Sequence, residues 1–268
     1  MAPSGRICSN PAMMTWADTE AGPVTVTVTD EAALLSDLAL RLEANRGFTV
    51  ATINLDHVVK LGRDRAFREA YGRMSHVTAD GNPIVWLSRL AGQGDVALVP
   101  GSEVIEPVAR LAMDRGVPVA FFGASEASLE AAAAAMRAKI PGIDIVLTLA
   151  PPMGFDPAGP AAGEAIEAIG ASGARLVFLA LGAPKQEIFA VRAADALPDA
   201  GFLSIGAGLD FISGAQTRAP GWVRAIAAEW LWRMLSNPGR LAARYWACIL
   251  AMPGLTLRAL RARGRAGA

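Results

Sequence analysis

Histidine and cysteine are nearly missing from this 268-residue chain: His57, His76, Cys8 and Cys248 are all of them. Two thiols so far apart make no disulfide framework and fit a reducing compartment. Two histidines leave no convincing metal cluster, so no metal site is expected. The first twenty or so residues lack the basic start and long apolar run of a secretory leader, and Pro3, Ser4, Gly5, Asn10 and Pro11 read as a loose lead-in, so a cytoplasmic location is expected. The most apolar late stretch, Leu241 to Leu257, is interrupted by Arg244 and by Pro253-Gly254, and falls short of a membrane-spanning helix. Acidic residues are scarce at one end only, where Glu229 stands alone between Arg218 and Ala268.

That same end holds nine of the 22 arginines and four of the six tryptophans. The zero net charge therefore conceals a tail of formal charge +8 on a body of −8. Guanidinium groups pair with phosphate and indoles lodge at the boundary between apolar and polar layers, so the tail suits an anionic membrane surface. Nucleic acid competes as a partner, but its recognition needs no continuous apolar face, and none is expected here. Trp222, Ile226 and Trp230 recur at four-residue spacing, with Leu231, Met234 and Leu235 widening the stripe. Asn237-Pro238-Gly239 breaks this helix, and Leu241 to Ile249 begins another with Arg240, Arg244, Tyr245 and Trp246, giving a helical hairpin. An apolar hairpin can equally dock on its own domain or on a second subunit, so homo-oligomerisation stays open.

Through the first 210 residues, short β-branched runs alternate with Ala/Leu-rich stretches, as in a mostly parallel sheet covered by helices. Strands are predicted at Val24–Val28, Thr49–Ile53, His76–Ala79, Val117–Phe122, Ile143–Leu147, Arg175–Ala180 and Gly201–Ile205. Helices are predicted at Glu31–Asn45, Arg63–Met74, Pro83–Leu90, Glu103–Arg115, Glu126–Lys139, Ala161–Gly170 and Pro184–Ala196, with Asp30, Ser102 and Ser125 as caps. The fold class is α/β, Rossmann-like, with a C-terminal helical appendage. The expected division is a lead-in over 1–22, a core over 23–217 and a basic amphipathic appendage over 218–268. A Gly/Pro-rich connection from Ala150 to Pro157 is expected to be mobile over the site.

In open parallel sheets ligands bind outside the carboxyl ends of strands, which directs attention to the four loops at Asp80-Gly81-Asn82-Pro83, Gly123, Gly182-Ala183-Pro184 and Gly206-Ala207-Gly208. In Thr78-Ala79-Asp80-Gly81-Asn82-Pro83, Asp80 either accepts a proton as a general base or serves, as Asp more commonly does there, as a helix cap. Thr52 and Asn54 point the same way at another strand end, to hydrogen-bond a sugar or phosphate or to cap the turn into Leu55-Asp56-His57. His57 alone reads as structural. Gly182-Ala183-Pro184-Lys185-Gln186-Glu187 opens a helix whose free amides and Lys185 make an anion site, though it is neither a P-loop nor a dinucleotide fingerprint. Gly206-Ala207-Gly208 is a weaker signal of the same kind, and at Ser102-Glu103 a ligand and a cap compete as explanations.

Taken in order, Thr52-Ile53-Asn54, Ala79-Asp80-Gly81, Leu181 to Glu187, Gly208-Leu209-Asp210-Phe211-Ile212-Ser213-Gly214, Arg218-Ala219-Pro220, Glu229-Trp230-Leu231 and Pro238-x-Arg240-Leu241 resemble the WecG/TagA/CpsF glycosyltransferase family. The resemblance spans roughly Val50 to Tyr245. It implies an inverting transfer from a UDP-sugar to a polyprenyl-diphosphate-linked saccharide on the inner face of the membrane, with no metal or other cofactor. It places the catalytic residues at Asp80, as the base, and Thr52, which with Asn54 stands beside the reacting sugar, and it places Gln186 in the nucleotide-sugar pocket. The substrate-binding set expected with them is Asn54, Ser102, Glu103, Gly182, Lys185, Gln186, Glu187, Gly208, Arg218 and Arg224, the two arginines neutralising diphosphate. Members often carry Gly-Thr-Asp where this chain has Gly101-Ser102-Glu103, and Gly-Gly where it has Ala207-Gly208, so the donor sugar stays open between acetamido-mannose and a plain hexose. The competing classes are a non-catalytic partner in polysaccharide assembly and a nucleotide-binding oxidoreductase, the latter weakened by the missing fingerprint.

Overall fold

A computed structural model describes residues 14–214, 232 and 238–266. Its centre is a six-stranded sheet in the order β4-β3-β8-β7-β5-β6, formed by β3 (Phe48–Ile53), β4 (His76–Ala79), β5 (Val119–Gly123), β6 (Ile145–Leu149), β7 (Leu176–Ala180) and β8 (Gly201–Ser204). Every pairing in it is parallel. Parallel strands are joined by crossovers that lay helices on both faces, and such strands must be apolar on both sides. Val119-Ala120-Phe121-Phe122-Gly123 is accordingly buried at every position, while edge strand β6 alternates between buried and more open residues.

Alternation along β5 divides its two phenylalanines between the faces. Phe121 meets Phe178 edge-on at 5.7 Å on one side, while Phe122 packs against Phe189 at 4.7 Å and Phe155 at 5.5 Å on the other. Each such aromatic contact adds about 0.5–1.5 kcal/mol beyond the burial itself. The covering helices are α1 (Glu31–Glu43), α2 (Leu55–Leu61), α3 (Arg65–Gly72), α4 (Asn82–Leu90), α5 (Gly101–Asp114), α6 (Glu126–Lys139), α7 (Pro160–Ala171), α8 (Lys185–Ala196) and α9 (Gly208–Ile212). Asp30 and Ser125 cap α1 and α6 as expected, accepting from Ala33 N at 2.8 Å and Ser128 N at 3.3 Å.

Several expectations need correction. Val24–Val28 is no strand of the central sheet. Gly22–Val24 forms β2, antiparallel to β1 (Ala17–Thr19), and the stretch beyond it runs extended, with Val24, Val26 and Val28 buried and Thr27 N bonded to Val77 O at 2.9 Å. The hairpin carries Met14 and Trp16 into the core, so order begins within the stretch read as a loose lead-in. Ser102 does not cap α5, because the helix starts one residue earlier with Pro100 in the cap position. The connection after Ala150 is tied down at its far end, where Phe155 is buried and Arg192 donates to Pro157 O and Gly159 O, leaving Met153 fully exposed.

The tail differs most. Pro253-Gly254 does not interrupt it, and α10 runs from Pro238 to Ala266. Proline removes the amide that would serve the carbonyl of Ile249, four residues earlier, on a turn where Ile249 is half exposed. One face of α10, including Cys248, Leu255 and Ala259, is buried, with the latter two in the core cluster that holds α2 and α4. The opposite face exposes Trp246, Ile249, Leu250, Leu257 and Leu260. The first arm of the expected hairpin, with Trp222, Ile226 and Trp230, lies outside the described residues. Among the described residues no helix is long and apolar enough to cross a membrane.

Candidate active site

The strand order brings the chosen loops together. From β3 the chain steps to β4 on one side, while β8 lies on the other, so the loops after β3 and β8 diverge at the carboxyl edge, where open parallel sheets bind ligands. Register puts Ile53 opposite Ala79, so Asn54 and Asp80 both stand one residue beyond the last pair. Asp80 N donates to Ile53 O at 2.8 Å, and Asn54 Nδ2 reaches Asp80 Oδ2 at 3.5 Å, a long contact. Asn54 Oδ1 meanwhile accepts from His57 N at 3.0 Å and caps α2, a helix where the sequence predicts only a turn. One side chain thus caps α2 and faces the carboxylate. Asp80 itself is not the cap of α4. That position belongs to Gly81 at φ +98°, where any side chain would be strained.

Thr78 Oγ1 donates to Val99 O and Val99 N to Ala79 O, drawing the segment before α5 along β4. The start of α5 therefore abuts β3: a Cβ on Gly101 would stand 3.2 Å from Thr52 Oγ1 and 3.5 Å from Ile205 Cα. Thr52 is buried, and Ser102 and Glu103 follow in the first turn, with Glu103 exposed. Gly208 begins α9 against α5, where an added Cβ would meet Ile105. Thr52, Asn54, Asp80, Gly101, Ser102 and Gly208 are thus gathered at the carboxyl edge.

Gly182, Lys185, Gln186 and Glu187 stand at the end of β7, one strand beyond β8. Lys185 is exposed, but Gln186 and Glu187 are buried at 2% and 0% exposure, which puts them behind the site surface. Gln186 Oε1 accepts from Gly206 N at 3.0 Å and its Nε2 donates to Glu187 Oε1 at 2.8 Å, fixing which way the amide points. Burial pushes the Glu187 carboxyl from 4.5 up to about 7, against the opposing bond from Gln186 and the charge of Lys60. Its Oε2 finds no hydrogen-bond partner among the described residues.

Sequence reasoning missed the group beneath this wall. His57 Nδ1 and Tyr71 OH lie 2.7 Å apart, both buried. Burial, helped by Lys60 and Arg244, lowers His57 to about 3, so it is neutral at pH 7 and structural as expected. Tyr71 is raised by burial and by the charges of Glu187 and Asp80. Lys60 Nζ donates to Ala183 O at 3.1 Å, and its i,i+4 spacing from Asp56 was the available signal. His76 is spoken for by Asp37 at 2.6 Å and Ser75 at 2.9 Å. Among the described residues no three His, Cys, Asp or Glu side chains gather as a metal site would require. Arg218 and Arg224 lie outside the described residues.

A half-buried carboxylate at a strand end, beside an amide, a buried threonine and two helix starts, can take a proton from a hydroxyl while backbone amides face an anion. Among characterised proteins, the chain is 26% identical over 218 residues to N-acetylglucosaminyldiphosphoundecaprenol N-acetyl-beta-D-mannosaminyltransferase of Bacillus spizizenii, covering 79% of this chain and 78% of that protein. The model of the Glycosyl transferase WecG/TagA/CpsF family matches residues 20–267, which take in every loop described above together with α10. The chain belongs to the WecG/TagA/CpsF glycosyltransferase family.

Proposed function

We propose that this glycosyltransferase moves an N-acetylhexosamine-type sugar or a hexose from a UDP-sugar to a polyprenyl-diphosphate-linked saccharide, with inversion, in the making of a bacterial surface polysaccharide. The observation that carries the reading is Asp80 at the end of β4, with Asn54 Nδ2 at 3.5 Å and Thr52 in the neighbouring strand. The Bacillus relative, whose name describes transfer of N-acetylmannosamine to a lipid-diphosphate-linked N-acetylglucosamine, favours an acceptor of that kind.

In the proposed step the acceptor hydroxyl attacks the anomeric carbon and gives its proton to Asp80. The bond from that carbon to the β-phosphate oxygen breaks, and UDP departs with the electron pair. Thr52 and Asn54 stand beside the reacting sugar. The amides at the starts of α5 and α8, with Ser102, Lys185, Arg218 and Arg224, hold the departing diphosphate, charge supplied in advance where it develops. Glu103, Gly182 and Gly208 line the rim, while Gln186 and Glu187 hold the wall from behind. The exposed Trp246, Ile249, Leu250, Leu257 and Leu260 of α10, in an arginine-rich tail, favour work at an anionic membrane surface on its inner face.

The test is UDP release from a panel of UDP-sugars, with a lipid-diphosphate-linked N-acetylglucosamine acceptor in detergent. Parent protein should release UDP only when acceptor is present. Asp80→Asn should fold normally and lose about 10²–10⁴-fold in kcat; release at the parent rate would sink the base assignment.

A further inference from the structure

Two charged side chains of α2 join the C-terminal helix to the loop between β7 and α8. Asp56 is the junction, its side chain 12% exposed, and two cations divide its carboxylate. Arg244 of α10 holds Oδ1 through Nε at 2.8 Å, and Lys60 lies 2.9 Å from Oδ2. The same Lys60 ammonium donates to the carbonyl of Ala183 at 3.1 Å. Ala183 stands three residues before Gln186, whose Oε1 accepts from Gly206 N. Lys60 therefore holds the loop at Ala183, and Gln186 holds the first turn of α8 that follows it.

We infer that Asp56 and Lys60 are positioning residues through which docking of α10 sets the geometry of the β7–α8 loop. Arg244 acts through its ion pair with Asp56. With Arg244 in place, each carboxylate oxygen has its own cation, and the ammonium keeps a donor for Ala183. Without it, one oxygen of a largely buried carboxylate is left uncompensated, and Lys60 is drawn toward Asp56 and away from the carbonyl. That the loop then holds a nucleotide-sugar rests on the function proposed above. The mechanical link does not.

Hydrogen exchange of the amides in residues 181–190, on full-length protein without ligand, tests the link directly. Lys60→Met and Arg244→Gln should each raise exchange there on the order of threefold to tenfold, as expected for loss of one partly exposed charge-assisted bond. Arg244→Lys should restore much of the protection. Arg258→Gln is the control, because Arg258 lies on the same helix but donates to Thr15 O, at 3.1 Å, rather than to this bridge. It should leave residues 181–190 unchanged. Unaltered exchange in Lys60→Met would overturn the clamp. A change in Lys60→Met but none in Arg244→Gln would overturn the coupling to α10. In the UDP-release assay the two variants should raise the KM for the donor more than they lower kcat. A parent that releases no UDP, alongside raised loop exchange in both variants, would refute the transferase reading and support the clamp.

Discussion

Replacing Glu187 with glutamine removes one ionisable group from a place that water does not reach, and its effect on stability should depend on pH in a calculable way. The native carboxyl titrates at about 7 against 4.5 for the free side chain, chiefly because burial penalises the charged form. Below pH 4.5 the group is protonated in both states and the native state has its full advantage. Between 4.5 and 7 the native state keeps a proton that the unfolded chain gives up, so this contribution falls as pH rises and is lost above 7. At about 1.36 kcal/mol per pH unit the change amounts to roughly 3 kcal/mol. Glutamine at 187 keeps an oxygen to accept from Gln186 Nε2 and cannot ionise. The variant should match the parent near pH 4.5 and exceed it by about 3 kcal/mol at pH 8. His57 titrates in an overlapping window with the opposite sign: its native value of about 3 lies below 6.5, so stability is lost as pH falls through 6.5. Both proteins carry His57, and it cancels in their difference. Urea unfolding at pH 5, 6, 7 and 8 gives that difference. A flat difference across the series, or a variant less stable than the parent at pH 8, would refute the assignment of a neutral buried acid.

Asn54→Ala should lower stability by about 1 kcal/mol through loss of the α2 cap, visible as a shift in the urea midpoint, and should reduce kcat because Asp80 loses its neighbouring amide. Gly101→Ala places a methyl 3.2 Å from Thr52 Oγ1 and 3.4 Å from its Cγ2, so the threonine must shift by a few tenths of an ångström. Because alanine suits a helix start, the melting temperature should change little while kcat falls about tenfold or more. Equal activity with unchanged stability would show that Thr52 has room to spare.

Much of the architecture was legible because parallel central strands must be apolar on both faces and the helices between them carry their own stop and start signals. His76–Ala79 and Glu126–Lys139 come out at the predicted bounds. Val24–Val28 misled because alternating valines also suit an extended segment that packs beside a sheet without joining it. The short helices α2 and α9 went unseen because five to seven residues give too little periodicity. Pro253-Gly254 reads as a stop, but docking of the helix face around Leu255 and Ala259 carries α10 through it.

The carboxyl-edge loops with their Gly, Pro and Asp residues followed from the sequence alone, since such residues are what a chain needs to leave a buried strand and turn. Which of those loops meet was decided by tertiary structure. Strand order makes β3 the neighbour of both β4 and β8, and only that order sets Asn54 beside Asp80 and the start of α5 against Thr52. In sequence Gln186 and Glu187 stand at a helix start and are expected among the substrate-binding residues. Packing buries them, because α8 turns that face toward Tyr71 and the loop after β8. Local sequence carries propensity and periodicity, whereas burial and charge pairing depend on residues more than a hundred positions apart, such as Lys60 and Ala183, and these exist only once the sheet has assembled.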